Sequence, residues 1–259
     1  MSFGRILVIA TNVFREVVRD RILYIVGLYA LILAVAIWFL PQLAATTEDK
    51  IFLDLGLAAM SLLGLIVAIF VGTGLINKEI EKRTVLVLIS KPISRGEFIA
   101  GKHLGLSGVL GVLITAMTVL YLGFLQLGNI PYPLGSIVLA VLFLFLQLSL
   151  ITAVAIAFGV FTSSVLATLL SFGVYLMGNF TQDLATLGRL SESANVQRMT
   201  EALYLFLPNL SRLDLKNLAV YGADALPNPL ALIMSAGYGL LYTGLLLAIA
   251  VLIFSRRQF

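Results

Sequence analysis

Cysteine is absent from the sequence, histidine occurs once and charged residues are scarce. Without cysteine the chain can form no disulfide, thiolate nucleophile or cysteine metal site, and a catalytic triad or histidine metal site would depend on His103 alone. Charged residues make up 12% of the 259 residues and hydrophobic residues 60%, whereas soluble domains average about 25% and about 45–50%. Together with a mean hydropathy of +1.06, this composition predicts an integral membrane protein.

Long apolar stretches predict membrane-spanning helices. A span needs roughly 20 residues, because a helix rises about 1.5 Å per residue across about 30 Å of hydrocarbon. The run from Ile137 to Phe180 is too long for one crossing, and we expect it to break at GVFTSS, residues 159–164. None of the stretches contains Lys, Arg, Asp or Glu. The sequence predicts an all-α integral membrane protein whose six spans are approximately 22–40, 55–76, 104–127, 137–160, 165–180 and 231–254.

The Lys and Arg residues predict the orientation of these spans. They concentrate in the N-terminal segment, the 77–103 segment and the C-terminal tail, whereas the segments on the opposite side carry most of the acidic residues. Positive charge is enriched on the cytoplasmic side of membrane proteins. We therefore expect a multi-pass protein of the plasma (inner) membrane with both termini in the cytoplasm.

The first residues predict an amphipathic helix. Over residues 3–20, apolar side chains such as Phe3, Ile6 and Val13 recur at helical spacing, with Arg5 and Arg15 opposite them. Such helices are typical of the membrane interface, so we expect this one to lie on the cytoplasmic surface before the first span. The alternative is a simple cytoplasmic extension of that span.

The outer segment, residues 181–230, mixes leucine-rich turns with capping residues. It predicts short amphipathic helices that rest on the outer membrane surface, and Ser211 with Asp214 resembles a variant capping box. Two roles stay open for this segment, a small gate and simple packing over the ends of the spans.

The segment from 77 to 103 carries the densest charge. Acidic and basic residues alternate near Glu79 and are followed by an apolar stripe. A helix would end at Lys91, because Pro92 disfavours the α conformation in the residue before it. Ser94 and Glu97 then form the S-x-x-E pattern of a capping box, which predicts the start of a second helix. A short charged helix with one apolar face is suited to docking in a groove of another protein.

Residues 96–103 read GEFIAGKH, the spacing of a phosphate-binding P-loop. A P-loop needs a strand that leads directly into the glycine-rich turn and a hydroxyl residue after the lysine. Gly96 instead follows the predicted helix start, and His103 stands where the hydroxyl belongs. We therefore expect no nucleotide site on this chain.

The same segment resembles the permeases of type-2 ABC exporters, and the resemblance extends over essentially the whole chain. Val85 departs from the family pattern, which commonly has glycine after the threonine. The resemblance implies that the segment contains a coupling helix, seated in a cleft of a separate ATPase. The residues that carry it are Glu81-Lys82-Arg83-Thr84, Lys91-Pro92-Ile93-Ser94-Arg95, Phe98 and Gly101-Lys102.

The resemblance also implies partners. The chain would be one permease domain, 1–259, paired with a second copy or a paralogue and with a cytoplasmic ABC ATPase that holds ATP and Mg. It would hold no cofactor or metal and catalyse no reaction itself. The implied contacts with the ATPase are Glu79, Glu81, Lys82, Arg83, Thr84, Leu88, Lys91, Pro92, Arg95 and Ser163.

A few polar residues within the spans are candidates for a substrate pathway: Gln126, Gln147, Thr152 and Asn179. Interhelical hydrogen bonds are the alternative explanation for them. Buried ionisable residues usually mark ion and proton pathways, and none lies in the predicted spans, so an apolar or amphipathic substrate fits better. The apolar spans would contact membrane lipid, and nothing in the sequence indicates a nucleic acid partner.

Two further functions stay open from the sequence. One is a membrane anchor or assembly factor for an ATPase without transport. The other is an intramembrane lipid-modifying enzyme, which would need clustered Asp, Glu or His near one membrane face. The outer acidic residues are scattered and the cytoplasmic glutamates alternate with basic residues, so the sequence favours transport.

Overall fold

A computed structural model describes residues 3–19, 22–43, 47–81, 94–191 and 193–256, which form helices and short connections without any strand. The α-helices of this part are α1 (Phe3–Arg19), α2 (Ile22–Leu43), α3 (Glu48–Glu81), α4 (Arg95–Leu127), α5 (Leu134–Phe161), α6 (Ser164–Asn179), α7 (Thr181–Leu190), α8 (Ala194–Phe206), α9 (Lys216–Ala219) and α10 (Pro229–Arg256). Two single 3₁₀ turns, Leu210–Leu213 and Ala223–Ala225, interrupt the outer segment.

Five of the described helices, α2, α3, α4, α5 and α10, are long and apolar enough to cross a membrane. The 16 residues of α6 form a shorter apolar helix of about 24 Å. The helices continue past the predicted apolar stretches, most visibly α3, which begins at Glu48 rather than near residue 55. Glu48 and Asp49 in its first turn suit the positive end of the helix dipole.

The break between α5 and α6 lies where the hydroxyl residues predict it. Thr162 and Ser163 are both extended, with φ/ψ of −119°/171° and −69°/158°. The Phe158 carbonyl oxygen accepts both the backbone N–H of Thr162, at 3.0 Å, and the Thr162 hydroxyl, at 2.9 Å, so Thr162 caps the end of α5. Two residues are therefore enough to separate two antiparallel helices.

The centre of the bundle is α5, enclosed by α3, α4 and α10. Two tyrosines join helices near the start of α3: Tyr121 on α4 donates to the carbonyl of Leu53 at 2.8 Å, and Tyr29 on α2 donates to that of Gly56 at 3.1 Å. Helices in a membrane associate through close packing and interhelical hydrogen bonds, because lipid provides no hydrophobic driving force between them.

The N-terminal helix forms as predicted, and it packs along α4 in a groove made by glycines. A Cβ atom on Gly105 would lie 2.7 Å from both the Ala10 carbonyl oxygen and the Val13 Cβ, and one on Gly101 would lie 2.7 Å from the Ile9 Cβ. These two glycines therefore let the α1 backbone approach α4 closely.

The outer segment consists of two unlike parts. The α7–α8 hairpin provides short helices, as predicted. Residues 207–222 differ from the prediction because they pack between the spans: Leu210 and Leu213 are fully buried, and Leu213 contacts Gly239 of α10. The Ser211–Asp214 capping box is wrong, since the Ser211 hydroxyl donates to Oδ1 of Asn209 at 2.6 Å.

Candidate functional site at the ends of α3 and α4

The segment that the sequence singles out joins α3 to α4. Its residues 82–93 lie outside the described part of the chain, and with them the predicted short helix and proline turn. Glu81 is the last residue of α3. Side-chain positions are described for Glu79, Arg95 and Ser163 of the predicted contacts. The predicted contacts outside the described residues are Lys82, Arg83, Thr84, Leu88, Lys91 and Pro92.

The start of α4 is a complete capping box, as predicted. The Ser94 Oγ accepts from the backbone N–H of Glu97 at 3.2 Å, and Glu97 Oε2 accepts from the N–H of Ser94 at 2.9 Å. Both partners satisfy N–H groups that the first helical turn leaves free. The GEFIAGKH stretch is therefore helical from its first residue, with Gly96 in the first turn, so it has no loop of free N–H groups around a phosphate.

His103, at the end of that stretch, points into the bundle. Its side chain is buried, and Nε2 lies 3.0 Å from the carbonyl oxygen of Ser149 on α5. One turn further along α4, the hydroxyls of Ser107 and Ser149 lie 3.3 Å apart. The only histidine of the chain thus joins α4 to α5.

An ion pair joins the two ends of the undescribed segment. Lys102 Nζ on α4 donates to Oε1 of Glu79 on α3, and Lys102 is 5% exposed. The same ammonium lies 5.5 Å from the centre of the Phe98 ring. A charge this buried needs a partner, so the pair holds the last turns of α3 against the first turns of α4.

Arg95, the first residue of α4, reaches the last helix. Its Nη1 donates to the carbonyl oxygen of Phe254 at 3.1 Å and to that of Ser255. Three residues on, the Phe98 ring stacks on Phe254 with centroids 5.6 Å apart and an angle of 17° between the planes. Sequence reasoning missed this contact, because its partners are separated by 159 positions and neither carries a local signal.

The first helix closes the site from another side. Glu97, 2% exposed, lies 3.9 Å from the guanidinium of Arg5 on α1. The start of α4 therefore contacts α1, α3 and α10 through charged side chains. A displacement of the start of α4 would therefore reach three neighbouring helices. Within the described residues, no group of three or more His, Asp or Glu is placed to hold a metal.

The turn with Ser163 lies at the same end of the bundle. Ser163 is exposed, and Gly159, one turn earlier, packs against Asn77 near the end of α3, where an added Cβ would lie 3.4 Å from the Asn77 amide nitrogen. The exposed turn thus lies at the same end of the molecule as the end of α3.

The four candidates for a substrate pathway do not form one group. Gln147, buried near the middle of α5, donates to Oδ1 of Asn179 at 3.4 Å. Thr152 is buried and donates to the Leu148 carbonyl of its own helix at 2.9 Å. Gln126 is exposed at the end of α4 and donates to the Tyr132 hydroxyl.

A further polar contact that the sequence analysis missed lies between α3 and α6. The hydroxyls of Thr73 and Thr168 are 3.1 Å apart. Single threonines in apolar spans are the available signal, and they do not reveal which helix supplies the partner.

Comparison with known proteins identifies a matching family. The family described as ABC-2 family transporter protein matches residues 7–259, which is nearly the whole chain. A search of curated proteins finds no significant match. The matched range includes α1 from its second turn, the α3–α4 segment and every span-length helix described above.

Proposed function

Because the chain belongs to the ABC-2 family of transporter membrane proteins, we propose that it is the permease subunit of an exporter driven by a separate cytoplasmic ATPase. The observation that carries the proposal is the family match over residues 7–259. It fits a multi-pass protein that works with an ATPase subunit and is not itself catalytic. ATP and Mg would bind the partner chain, and a second permease copy or a paralogue would complete the membrane part.

The proposed ATPase contact is the 77–103 segment together with the Ser163 turn. Support comes from the ends of the segment, which are tied to the bundle by the Glu79–Lys102 ion pair and by Arg95. Because both ends are held, a push on the segment moves helices rather than only a loop. The residues proposed to meet the ATPase are Glu81, Lys82, Arg83, Thr84, Leu88, Lys91, Pro92 and Ser163, while Glu79 and Arg95 border this contact and tie its ends to the bundle.

The proposed topology has six spans, with α6 as the short fifth span and both termini in the cytoplasm of the cell. The distribution of Lys and Arg supports this orientation. In the same proposal α1 lies in the cytoplasmic interface. Its Ile6 and Val13 face α4, Phe3 and Leu7 stay exposed beside them, and Arg15 is exposed on the polar side, so the apolar face is wider than α4 covers.

ATP binding would draw the two ATPases together and displace the 77–103 segment. The displacement would pass into α3 and α4 at once through the Glu79–Lys102 pair, and into α1 through its seat on Gly101 and Gly105. The spans would then change between inward and outward access. The proposed pathway suits an apolar or amphipathic substrate. The Gln147–Asn179 pair, near the middle of α5, is the proposed polar contact for the substrate within it.

Purification of the tagged chain from its native membrane tests this function. We expect a soluble ATPase with an intact P-loop to purify with it and to hydrolyse ATP faster in the complex than alone. Hydrolysis that no extracted membrane compound stimulates would favour an assembly role, and purification without any ATPase would contradict the proposal.

A charge reversal tests the contact. The Glu81→Lys/Arg83→Glu variant should lose the ATPase or its coupling, because the charges would meet an unchanged partner surface. Arg198→Glu, on exposed α8 at the other end of the chain's fold, is the matched control. Unchanged complex formation and turnover in the double variant would exclude this segment as the contact.

A further inference from the structure

We propose that Arg95 is a positioning residue that clamps the end of α10 to the start of α4. Through this clamp α10 would move together with the start of α4 when the ATPase displaces the 77–103 segment. The clamp itself stands on the geometry of the chain. Its use during transport rests on the proposed function, and the two parts are tested separately below.

The clamp uses a general property of helix ends. The last carbonyl groups of a helix have no partner within it, and they form the negative end of its dipole, which a cation stabilises. At the end of α10 the guanidinium of Arg95 fills this role: Nη1 donates to the carbonyl oxygens of Phe254, at 3.1 Å, and Ser255. The Ser255 hydroxyl donates to the Leu252 carbonyl oxygen of the same helix at 2.7 Å.

An apolar contact beside the guanidinium makes the joint specific. The Phe98 and Phe254 rings stack, and both side chains are buried. They belong to a small cluster that is separate from the main core and draws on four helices at this end of the bundle. Its buried members are Ile76, Phe98, Ile99, Ile156, Ala157, Val160, Ala250 and Phe254.

Arg95 is also placed to receive a displacement directly. It follows the capping residue Ser94, so it is the first helical residue after the 82–93 segment. Elsewhere α10 is a peripheral helix with many exposed apolar side chains, and it packs mainly against α5 and in part against α4. The contact at Arg95 therefore joins the segment to a helix with a large free face.

Arginine suits this position better than lysine. Its planar fork of N–H donors can serve two carbonyl oxygens while keeping its full charge. A lysine at this position would keep the charge but offer one compact ammonium. We therefore expect Arg95→Lys to hold the clamp partly and Arg95→Gln to release it.

The absence of cysteine allows a direct measurement of the clamp with two introduced spin labels. Leu104→Cys on α4 and Leu252→Cys on α10 are suitable, since the native side chains are 47% and 61% exposed. The labelled chain is placed in lipid vesicles without a partner, and double electron–electron resonance gives the distance distribution between α4 and α10. Arg198→Gln, on exposed α8, serves as the control variant.

We expect a single narrow distribution in the native and Arg198→Gln backgrounds and a broader, longer one in Arg95→Gln. Loss of a charge-assisted hydrogen bond should raise the released population about tenfold, and Arg95→Lys should fall between. A native distribution in Arg95→Gln would overturn the clamp. If Arg95→Gln does not accumulate as folded protein, Arg95→Lys decides, and a distribution equal to the native one then overturns it.

The second measurement asks whether α10 follows the segment. Labels at Leu142→Cys on α5 and Leu252→Cys on α10 are read in the complex with the co-purified ATPase, with and without ATP. An ATP-dependent shift that Arg95→Gln abolishes supports the proposal, and a shift that survives in Arg95→Gln overturns this use of the clamp. Absence of any ATPase would contradict the proposed function, whereas the clamp itself would still stand or fall by the distances measured in vesicles.

Discussion

The two ends of the bundle are held together in different ways. At the end with the α3–α4 segment, charged side chains join four helices: Arg5 meets Glu97, Lys102 meets Glu79, and Arg95 reaches the end of α10. At the outer end, residues 207–222 insert leucines between α5, α6 and α10, while the α7–α8 hairpin packs mainly on itself.

The difference teaches where the molecule is suited to transmit force. Ion pairs and helix caps depend on direction and distance, so they fix the register of the helices that would move together in the proposed mechanism. Leucine packing tolerates small rearrangement because dispersion contacts are many and individually weak. The end with the proposed ATPase contact is thus the one where helix positions are better defined, and the outer end is the one where packing can adjust more easily.

The largest expected effect comes from breaking the outer closure. Leu213→Ala removes a fully buried side chain that fills the space beside Gly239. We expect a loss of about 2–4 kcal/mol in the free energy of unfolding, since a cavity is added to the lost packing. Thermal unfolding of the detergent-solubilised protein measures it. Leu205→Ala, which truncates a side chain that is 80% exposed on α8, is the control, and an equal loss there would refute the difference between insert and hairpin.

The seat of α1 provides the next test, now at the end of the bundle that contains the start of α4, called the inner end below. Gly105→Ala places a methyl group 2.7 Å from Ala10 O and Val13 Cβ, so α1 must shift. Overpacking of this kind costs about 1–3 kcal/mol. Gly123→Ala on the same helix, where the added methyl meets nothing within 4 Å, should change the melting temperature little. Equal melting temperatures for the two variants would show that α1 does not depend on this groove.

The features that could be predicted from sequence are local ones. The span-length helices follow from the length of apolar runs, the break at Thr162–Ser163 from a cluster of hydroxyl residues, and the Ser94–Glu97 box from a four-residue pattern. The same local pattern excluded a P-loop in GEFIAGKH. Each depends on residues within one or two turns, where chemistry and spacing are sufficient.

The features that escaped prediction depend on which helices become neighbours. The sequence around Gly101 and Gly105 did not indicate that α1 packs against them, because a pair of glycines allows any helix to approach closely. Arg95 was assigned to the ATPase contact, and nothing near it indicated the carbonyls of α10. The insertion of residues 207–222 required knowing that α6 ends at Asn179, well before the outer ends of the longer spans. Tertiary packing decides all three.

Two ion pairs, one at each end of the bundle, allow the strength of charged contacts at the two ends to be compared. The side chains of Lys102 and Glu79 are 7% and 24% exposed, against 26% and 19% for Lys216 and Asp214. Double-mutant cycles with Lys→Met and acid→amide substitutions should give a coupling energy of about 2 kcal/mol at the inner pair, where Lys102 is buried. The outer pair should give at most about 1 kcal/mol. Coupling that is equal at both ends would contradict the view of the inner end as the more rigid one.

The smallest expected effect concerns one hydroxyl at the outer end. Tyr238 on α10 accepts the backbone N–H of Asn209 at 2.8 Å, and the Arg212 guanidinium lies 5.2 Å from the centre of its ring. Tyr238→Phe keeps the ring but leaves a buried N–H without its acceptor, which costs about 1 kcal/mol. Hydrogen exchange of the Asn209 amide should rise about fivefold or more, while exchange of the Leu53 amide, in the stretch of α3 whose Leu53 carbonyl accepts from Tyr121, stays unchanged. If exchange at Asn209 is unaffected, leucine packing alone holds the insert, and the outer closure is even less dependent on polar contacts than the inner one.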